Sequence, residues 1–262
     1  VLNGARHITL GGHYAYITTN AGLAVINLDD PLNPRTETII AMNDARASAL
    51  QFRYLFVTDA GGFKVFDVTD LASPRLVENA SVSLADAQKI YVARTYAYVA
   101  AKSEGLVIID VENPENPSVY QKFTGGGALN DARDVIVATT NASLFAYVAD
   151  GRNGLKVLQL TSPESQPNFY GFSPEPKPEI IAWRKTVKPA LALSKGLDRD
   201  RAVDETGHQM AVFGRLGSRP FTRPEMERLF LRENGEPYYV TDSVEENARG
   251  GSSESTVKSQ GR

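Results

Sequence analysis

The stretch Tyr96–Pro117 reads YAYVAAKSEGLVIIDVENPENP, and its pattern occurs four times along the 262-residue chain. One glycine of the pattern recurs at spacings of 40, 43 and 49 residues. A self-similar period of roughly 20–50 residues is typical of solenoids and propellers, in which each repeat buries its faces against its neighbours. The four copies are Tyr14–Pro34, Tyr54–Pro74, Tyr96–Pro117 and Phe145–Pro167, and their shared glycines are Gly22, Gly62, Gly105 and Gly154.

Each repeat is predicted to consist of β-strands. Segments such as Tyr96–Ala100 and Leu106–Val111 are rich in β-branched and aromatic residues and are too short for helices. Glycine with Asn or Asp lies between them, as in Asp150–Gly154, and this favours a hairpin because these residues tolerate positive φ. The prolines that follow turn the chain toward an edge strand, since proline cannot donate to a ladder. With the strand that precedes each tyrosine, at about 5–10, 47–52, 87–92 and 132–137, the count is four strands per repeat, the unit of a β-propeller blade.

These repeats resemble the LVIVD-repeat family over about residues 4–172. The residues Leu106–Asp110 read LVIID, after YAYVA and before an N-P-x-x-P motif. The resemblance implies a β-propeller of a kind typical of exported bacterial and archaeal proteins at the cell surface or envelope, and it implies no shared catalytic residue. The fourth repeat departs from the pattern, because Leu158–Leu160 replaces the acid-bearing strand end. Since the chain opens directly on a blade, we expect further blades before it.

The sequence therefore predicts an all-β fold, a β-propeller with at least four four-stranded blades in this chain. The blades span residues 1–172, a C-terminal extension spans 173–243, and a polar tail spans 244–262. The extension is expected to be an atypical blade or a packed sheet, with one short helix at about 223–233. A capping box with proline in the first turn, Thr222–Glu225, predicts the start of that helix.

Composition excludes several kinds of chemistry. The chain has no Cys, which excludes disulfides, thiol nucleophiles, iron–sulfur clusters and covalent haem attachment. With 28 basic and 31 acidic residues, it offers no strong electrostatic reason to bind nucleic acid. No apolar run is long enough for a transmembrane helix. The three His are scattered, and Arg199 and Arg201 interrupt the charged run 197–205, so neither a metal site nor a cofactor is predicted.

Four similar tripeptides begin the first strands of the repeats: Gly4-Ala5-Arg6, Asp44-Ala45-Arg46, Asp86-Ala87-Gln88 and Asp131-Ala132-Arg133. In a propeller the first strand of a blade lies nearest the central channel, so its start faces the mouth of that channel. An Asp at a loop-to-strand junction often serves a structural role, because it satisfies backbone N–H groups, and this is the first interpretation. The alternative is a ring of alternating charge that holds a small charged ligand, a metal ion or a partner loop. The candidate binding residues are Arg6, Asp44, Arg46, Asp86, Asp131 and Arg133.

The predicted function is a non-enzymatic binding or scaffold module, an exported propeller that docks to partner subunits in an envelope or extracellular assembly. The helix at 223–233 and the tail at 244–262 are candidate contacts with other protein subunits or a neighbouring copy. No catalytic residue is assigned. One alternative is a hydrolase or lyase that uses Asp44, Asp86 or Asp131 as acid or base. Another is a fragment of a larger cofactor-bearing protein, for example a multihaem electron-transfer protein. The predicted location is extracytoplasmic.

Overall fold

The computed structural model describes residues 1–139, 143–166, 173–194 and 231–236, together with residues 215–216, 219–220, 224 and 227. The chain divides into two compact units, Val1–Gly196 and Leu197–Arg262. Within the described ranges no helix is long and apolar enough to cross a membrane. The charged run 197–205 and the tail 244–262 lie outside the described residues, and the helix at 223–233 lies largely outside them, so these stay predictions.

Four antiparallel sheets of four strands each make up the first unit, which confirms the predicted blades. In every sheet the strands lie side by side in chain order. The described part of the second unit contains one antiparallel strand pair. The strands are β1 His7–Gly11, β2 Tyr14–Thr19, β3 Gly22–Asn27, β4 Arg35–Ile40, β5 Ala47–Gln51, β6 Tyr54–Asp59, β7 Gly62–Asp67, β8 Arg75–Ser83, β9 Ile90–Ala93, β10 Tyr96–Ala100, β11 Leu106–Asp110, β12 Ser118–Phe123, β13 Asp134–Thr139, β14 Leu144–Ala149, β15 Leu155–Thr161, β16 Glu179–Arg184, β17 Arg215–Leu216 and β18 Arg219–Pro220.

The outermost strand of the fourth sheet, β16, begins beyond the repeat pattern. The repeat pattern predicts an extension over residues 173–243, whereas the structure pairs Glu179–Arg184 with β15, with Leu155 opposite Arg184. The connection explains the difference: β15 ends at Thr161, and β16 follows a proline-rich segment that the other repeats lack. The first unit therefore contains four complete four-stranded blades.

Neighbouring sheets pack through their first strands, β1 beside β5, β5 beside β9 and β9 beside β13. An apolar core fills the space between each pair of consecutive sheets, as expected for repeats that bury their faces only against one another. Between the first two sheets, for example, Tyr16 and Leu23 share a core with Leu55 and Val57. This is the blade packing of a β-propeller, and it brings the starts of four inner strands to one end of the unit.

The residue that ends the third strand closes a turn in the first three blades. Its side-chain oxygen accepts a hydrogen bond from the backbone N–H two residues later, which fixes the chain as it leaves the strand. The pairs are Asn27 with Asp29 at 2.8 Å, Asp67 with Thr69 at 2.7 Å, and Asp110 with Glu112 at 2.9 Å. The acidic end of the LVIVD-like strand is thus part of the fold rather than of a binding site.

Candidate functional site

The six predicted site residues all lie at the starts of the inner strands. Arg6 directly precedes β1, Arg46 precedes β5 and Arg133 precedes β13, as the repeat register predicted. The structure joins the first four candidates in one run of ion pairs and places the other two in a separate pair.

Arg46 is the centre of the first run. Its Nε and Nη2 donate to Asp44 Oδ2 at 2.9 and 2.8 Å, and its Nη1 donates to Asp86 and to the carbonyl oxygen of Ala87, the latter at 2.7 Å. Asp44 also accepts a hydrogen bond from Arg6. One guanidinium thus ties the start of the second blade to the start of the third, and Arg6 extends the run to the first.

Lys102 completes the site, although the repeat pattern does not predict it. Its Nζ lies 3.8 Å from Asp86, while its backbone pairs with Ala132 of the fourth blade. On that blade Arg133 Nε donates to Asp131 at 2.6 Å. Nothing in the repeat pattern marks Lys102, because the other three repeats carry no basic residue at the corresponding place. We call Arg6, Asp44, Arg46, Asp86, Lys102, Asp131 and Arg133 the charge row.

The cations of the row keep two of its carboxylates ionised. The hydrogen bond from Arg6, with those from Arg46, holds the pKa of Asp44 below its ordinary value despite partial burial. Burial alone would raise the pKa of Asp131, but the hydrogen bond and charge of Arg133 lower it, with help from Lys102. Such carboxylates suit electrostatic recognition, since a general acid needs a raised pKa.

A second row of ionisable groups, which the repeat pattern does not predict, follows directly after three of the four tripeptides that precede the inner strands. It consists of His7, Lys89 and Asp134, whose charges influence one another. The Nδ1 atom of His7 accepts a hydrogen bond from the backbone N–H of Ser48 at 3.2 Å. Burial, with the charge of Lys89, lowers the pKa of His7 to about 4. Burial raises the pKa of Asp134, although the N–H of Leu193 donates to it at 2.8 Å.

His7 should make the folded state sensitive to mild acid. Its folded pKa of about 4 lies below the value of 6.5 for an unperturbed histidine, so the unfolded chain binds more protons in this window. Stability is therefore expected to fall by about 2 kcal/mol as the pH is lowered from about 7 to about 5. His7→Asn, which keeps an acceptor for the Ser48 N–H, should remove that loss in urea unfolding measured at both pH values.

His13→Asn is the matched control, because the His13 side chain is 52% exposed. It should leave the pH dependence as it is in the parent protein. If His7→Asn kept the pH dependence of the parent protein, burial would not lower the pKa of His7 in the folded state relative to the unfolded state.

Comparison with known proteins gives one family match. The LVIVD repeat model matches residues 4–38, 44–82, 85–124 and 131–172, which together form more than half of the chain. No curated protein sequence matches significantly.

Two solved structures are similar to this chain at low sequence identity. A structure described as a 6-phosphogluconolactonase from Bacteroides uniformis has a TM-score of 0.54 and 13% identity, covering 77% of this chain and 60% of that one. The Cps50 (Swd1) β-propeller domain from Myceliophthora thermophila has a TM-score of 0.49 and 12% identity, covering 79% and 61%. The chain spans about three fifths of the length of each of these structures. At such identities the likeness concerns the fold alone.

Proposed function

This chain belongs to the LVIVD-repeat family, and we propose that it is a non-enzymatic binding module whose charge row docks a segment of a partner protein. The observation that carries the proposal is the row itself, which runs across the starts of the inner strands of all four blades. Its end cations remain accessible, since the side chains of Arg6 and Arg133 are 40% and 35% exposed.

The charge balance of the row favours an acidic partner segment. Each carboxylate of the row lies beside one or more of its own cations, whereas the three arginines and Lys102 offer more N–H donors than those carboxylates can accept. Asp or Glu side chains of a partner would take up the spare donors in charge-assisted hydrogen bonds. Complementary charge of this kind also speeds association and makes it sensitive to salt.

Ion pairing favours this binding role over the enzymatic alternative. A hydrolase or lyase would need an acid near its working pH among Asp44, Asp86 and Asp131, yet the row lowers the pKa of Asp44 and Asp131. Carboxylates held as anions by arginine are suited to fixing the geometry of the row and to rejecting acidic groups placed out of register.

We also propose that the module is exported and works in an envelope or extracellular assembly, which rests on the family resemblance alone. Fractionation of native cells with an antibody to this chain tests the location. Recovery outside the cytoplasm is the expected result, and recovery only in the cytoplasm would overturn it.

Photo-crosslinking in native cells tests the docking proposal. A crosslinking residue at the exposed Asn3, beside the row, should capture a partner that one at Phe52 does not, because Phe52 lies at the other end of the inner strand β5. Mass spectrometry then identifies the partner, and calorimetry with purified proteins gives its Kd. Arg6→Gln combined with Arg133→Gln should raise that Kd by about tenfold, and added salt should weaken the parent complex.

Arg53→Gln is the matched control for the pair of substitutions. Arg53 is 54% exposed and pairs with Glu115 at 3.0 Å, but it follows β5 instead of preceding it. It should leave the Kd unchanged. Equal effects of the control and of the row variants, or a complex insensitive to both, would contradict docking at the charge row.

A further inference from the structure

Two lysines at equivalent positions of the repeat have different side-chain partners in the second and fourth blades. Lys64 follows Gly62 by two residues, as Lys156 follows Gly154. In these two blades an Asp stands at the end of the second strand: Asp59 is the last residue of β6, and Asp150 directly follows β14. In the second blade Lys64 Nζ forms an ion pair with Asp59. In the fourth blade the side chain of Lys156 forms no hydrogen bond or ion pair with any described residue, although the residue is only 6% exposed.

The length of the hairpin explains why Lys156 and Asp150 form no ion pair in the fourth blade. The hairpin of the fourth blade, Asp150–Gly154, is one residue longer than the hairpin of the second blade, Asp59–Gly62. Asp150 is turned toward the backbone, where its Oδ1 accepts hydrogen bonds from the N–H groups of Asn130 and Asp131 at 3.2 and 2.7 Å. Its Oδ2 is buried and has no partner among the described residues. The Asp150 carboxylate therefore accepts backbone hydrogen bonds and acts on Lys156 through its charge, without a direct ion pair.

Lys156 lies instead at the wall of an open groove with a volume of about 490 Å³. Its Nζ lies 5.2 Å from the ring centroid of Trp183, which faces it across the β15–β16 pair. Trp183 is 63% exposed. We call this the cationic groove, and it is lined by Ala128, Arg152, Asn153, Lys156, Ile180, Trp183 and Lys185, with no carboxylate among these described residues.

We propose that the cationic groove binds an oxyanion, a carboxylate or a phosphate, carried on a flat apolar group. The groove shares no lining residue with the charge row, and its binding of a small molecule goes beyond the docking function proposed there. Arg152, Lys156 and Lys185 line the groove with no carboxylate among the described lining residues, and an oxyanion in the groove would accept charge-assisted hydrogen bonds from these cations. The exposed face of Trp183 and the side chain of Ile180 give the apolar part of the same ligand a surface to stack on. The volume of the groove is in the range of small-molecule sites.

Fluorescence of the protein provides a direct test, because Trp183 is the single tryptophan of the chain. Phenyl phosphate and benzoate are the probes, and benzyl alcohol is the neutral control of similar shape. Titration of the purified full chain with either anion should change the Trp183 emission in a saturable way, whereas benzyl alcohol should not. Saturation by only one anion identifies which oxyanion the groove prefers and still supports the site. Absence of saturable change with both anions overturns it.

Substitutions locate the binding. Lys156→Met removes the buried charge while keeping an unbranched apolar chain, and it should weaken binding of the preferred anion by about tenfold or more. Lys64→Met is the matched control at the equivalent position of the second blade and should leave the affinity unchanged. Arg152→Gln, at an exposed residue of the hairpin, tests the same site if Lys156→Met fails to fold. Unchanged affinity in Arg152→Gln together with unchanged affinity in Lys156→Met would refute the assignment.

Discussion

Replacing Gly62 with alanine is expected to lower the free energy of unfolding by at least about 3 kcal/mol. Gly62 begins β7 with a φ of 126°, which an L side chain rarely adopts. A Cβ atom there would lie 2.2 Å from the carbonyl oxygen of Val82 and 2.6 Å from the backbone nitrogen of Leu84. Both atoms belong to backbone at the outer edge of the sheet, so no rotamer change relieves the clash and β8 must move.

The control for this substitution is Gly126→Ala. Gly126 also has a positive φ, 67°, but a Cβ atom there would meet nothing within 4 Å. It should cost only the left-handed strain of about 1 kcal/mol. Urea unfolding followed by circular dichroism measures both variants. If they lost the same stability, the close approach of β7 to the outer strand would not be the reason for the glycine.

The same contact explains why this glycine recurs in the sequence. In the other three blades a Cβ atom would lie 2.1 to 2.3 Å from a carbonyl oxygen of the outer strand. The repeat period predicted the hairpin at these glycines, and the hairpin is confirmed. The period could not reveal that the fourth strand passes so close, because that contact joins residues 18 to 30 positions apart. The identity of the outer residue hardly matters, since the clash is with its backbone.

The sequence predicts the position of the charge row but not the ion pairs that join its blades. A shared tripeptide placed Arg6, Arg46 and Arg133 at the same point of three blades, and the structure has them there. Arg46 and Arg133 each pair with the Asp of their own tripeptide. The pairs between blades, Arg6 with Asp44 and Arg46 with Asp86, depend on the rotation between neighbouring blades, which no single repeat encodes. Lys102 was missed for the opposite reason, since it occurs in one repeat only and acts through a neighbour in space.

The cationic groove shows how a small departure from a repeat can matter more than the repeat. Lys64 and Lys156 are visible as equivalent residues in the sequence, and on that ground both would be expected to pair with the preceding Asp. The longer hairpin at Asp150 breaks the equivalence by giving the carboxylate backbone donors. Trp183, which covers the lysine, enters through a strand that the repeat pattern did not include.

Phe63→Ala is expected to cost about 3–5 kcal/mol of unfolding free energy. Phe63 is fully buried in the core between the second and third sheets, and its ring is stacked on that of Phe56 at a centroid distance of 5.6 Å. Truncation removes the apolar contacts of the ring and leaves a cavity between two sheets that are each held by their own ladders. Phe52→Ala is the control, because Phe52 is 92% exposed on the same sheet, and it should change stability by less than about 0.5 kcal/mol.

The wider consequence concerns the dependence of the blades on one another. Because the same core holds Val107 and Ile109 of β11, a cavity at Phe63 should loosen the third sheet as well as the second. Hydrogen exchange should therefore show faster exchange in β11 of Phe63→Ala, while β15, which belongs to the next core, is less affected.

Combining Phe63→Ala with Phe56→Ala should lower the free energy of unfolding by less than the two single losses added together. The second substitution enlarges a cavity that the first has already made, and the stacked pair is lost only once. Exchange confined to β7 would show that the third sheet is stable without its neighbour, and strictly additive losses would show that the two rings do not share one cavity.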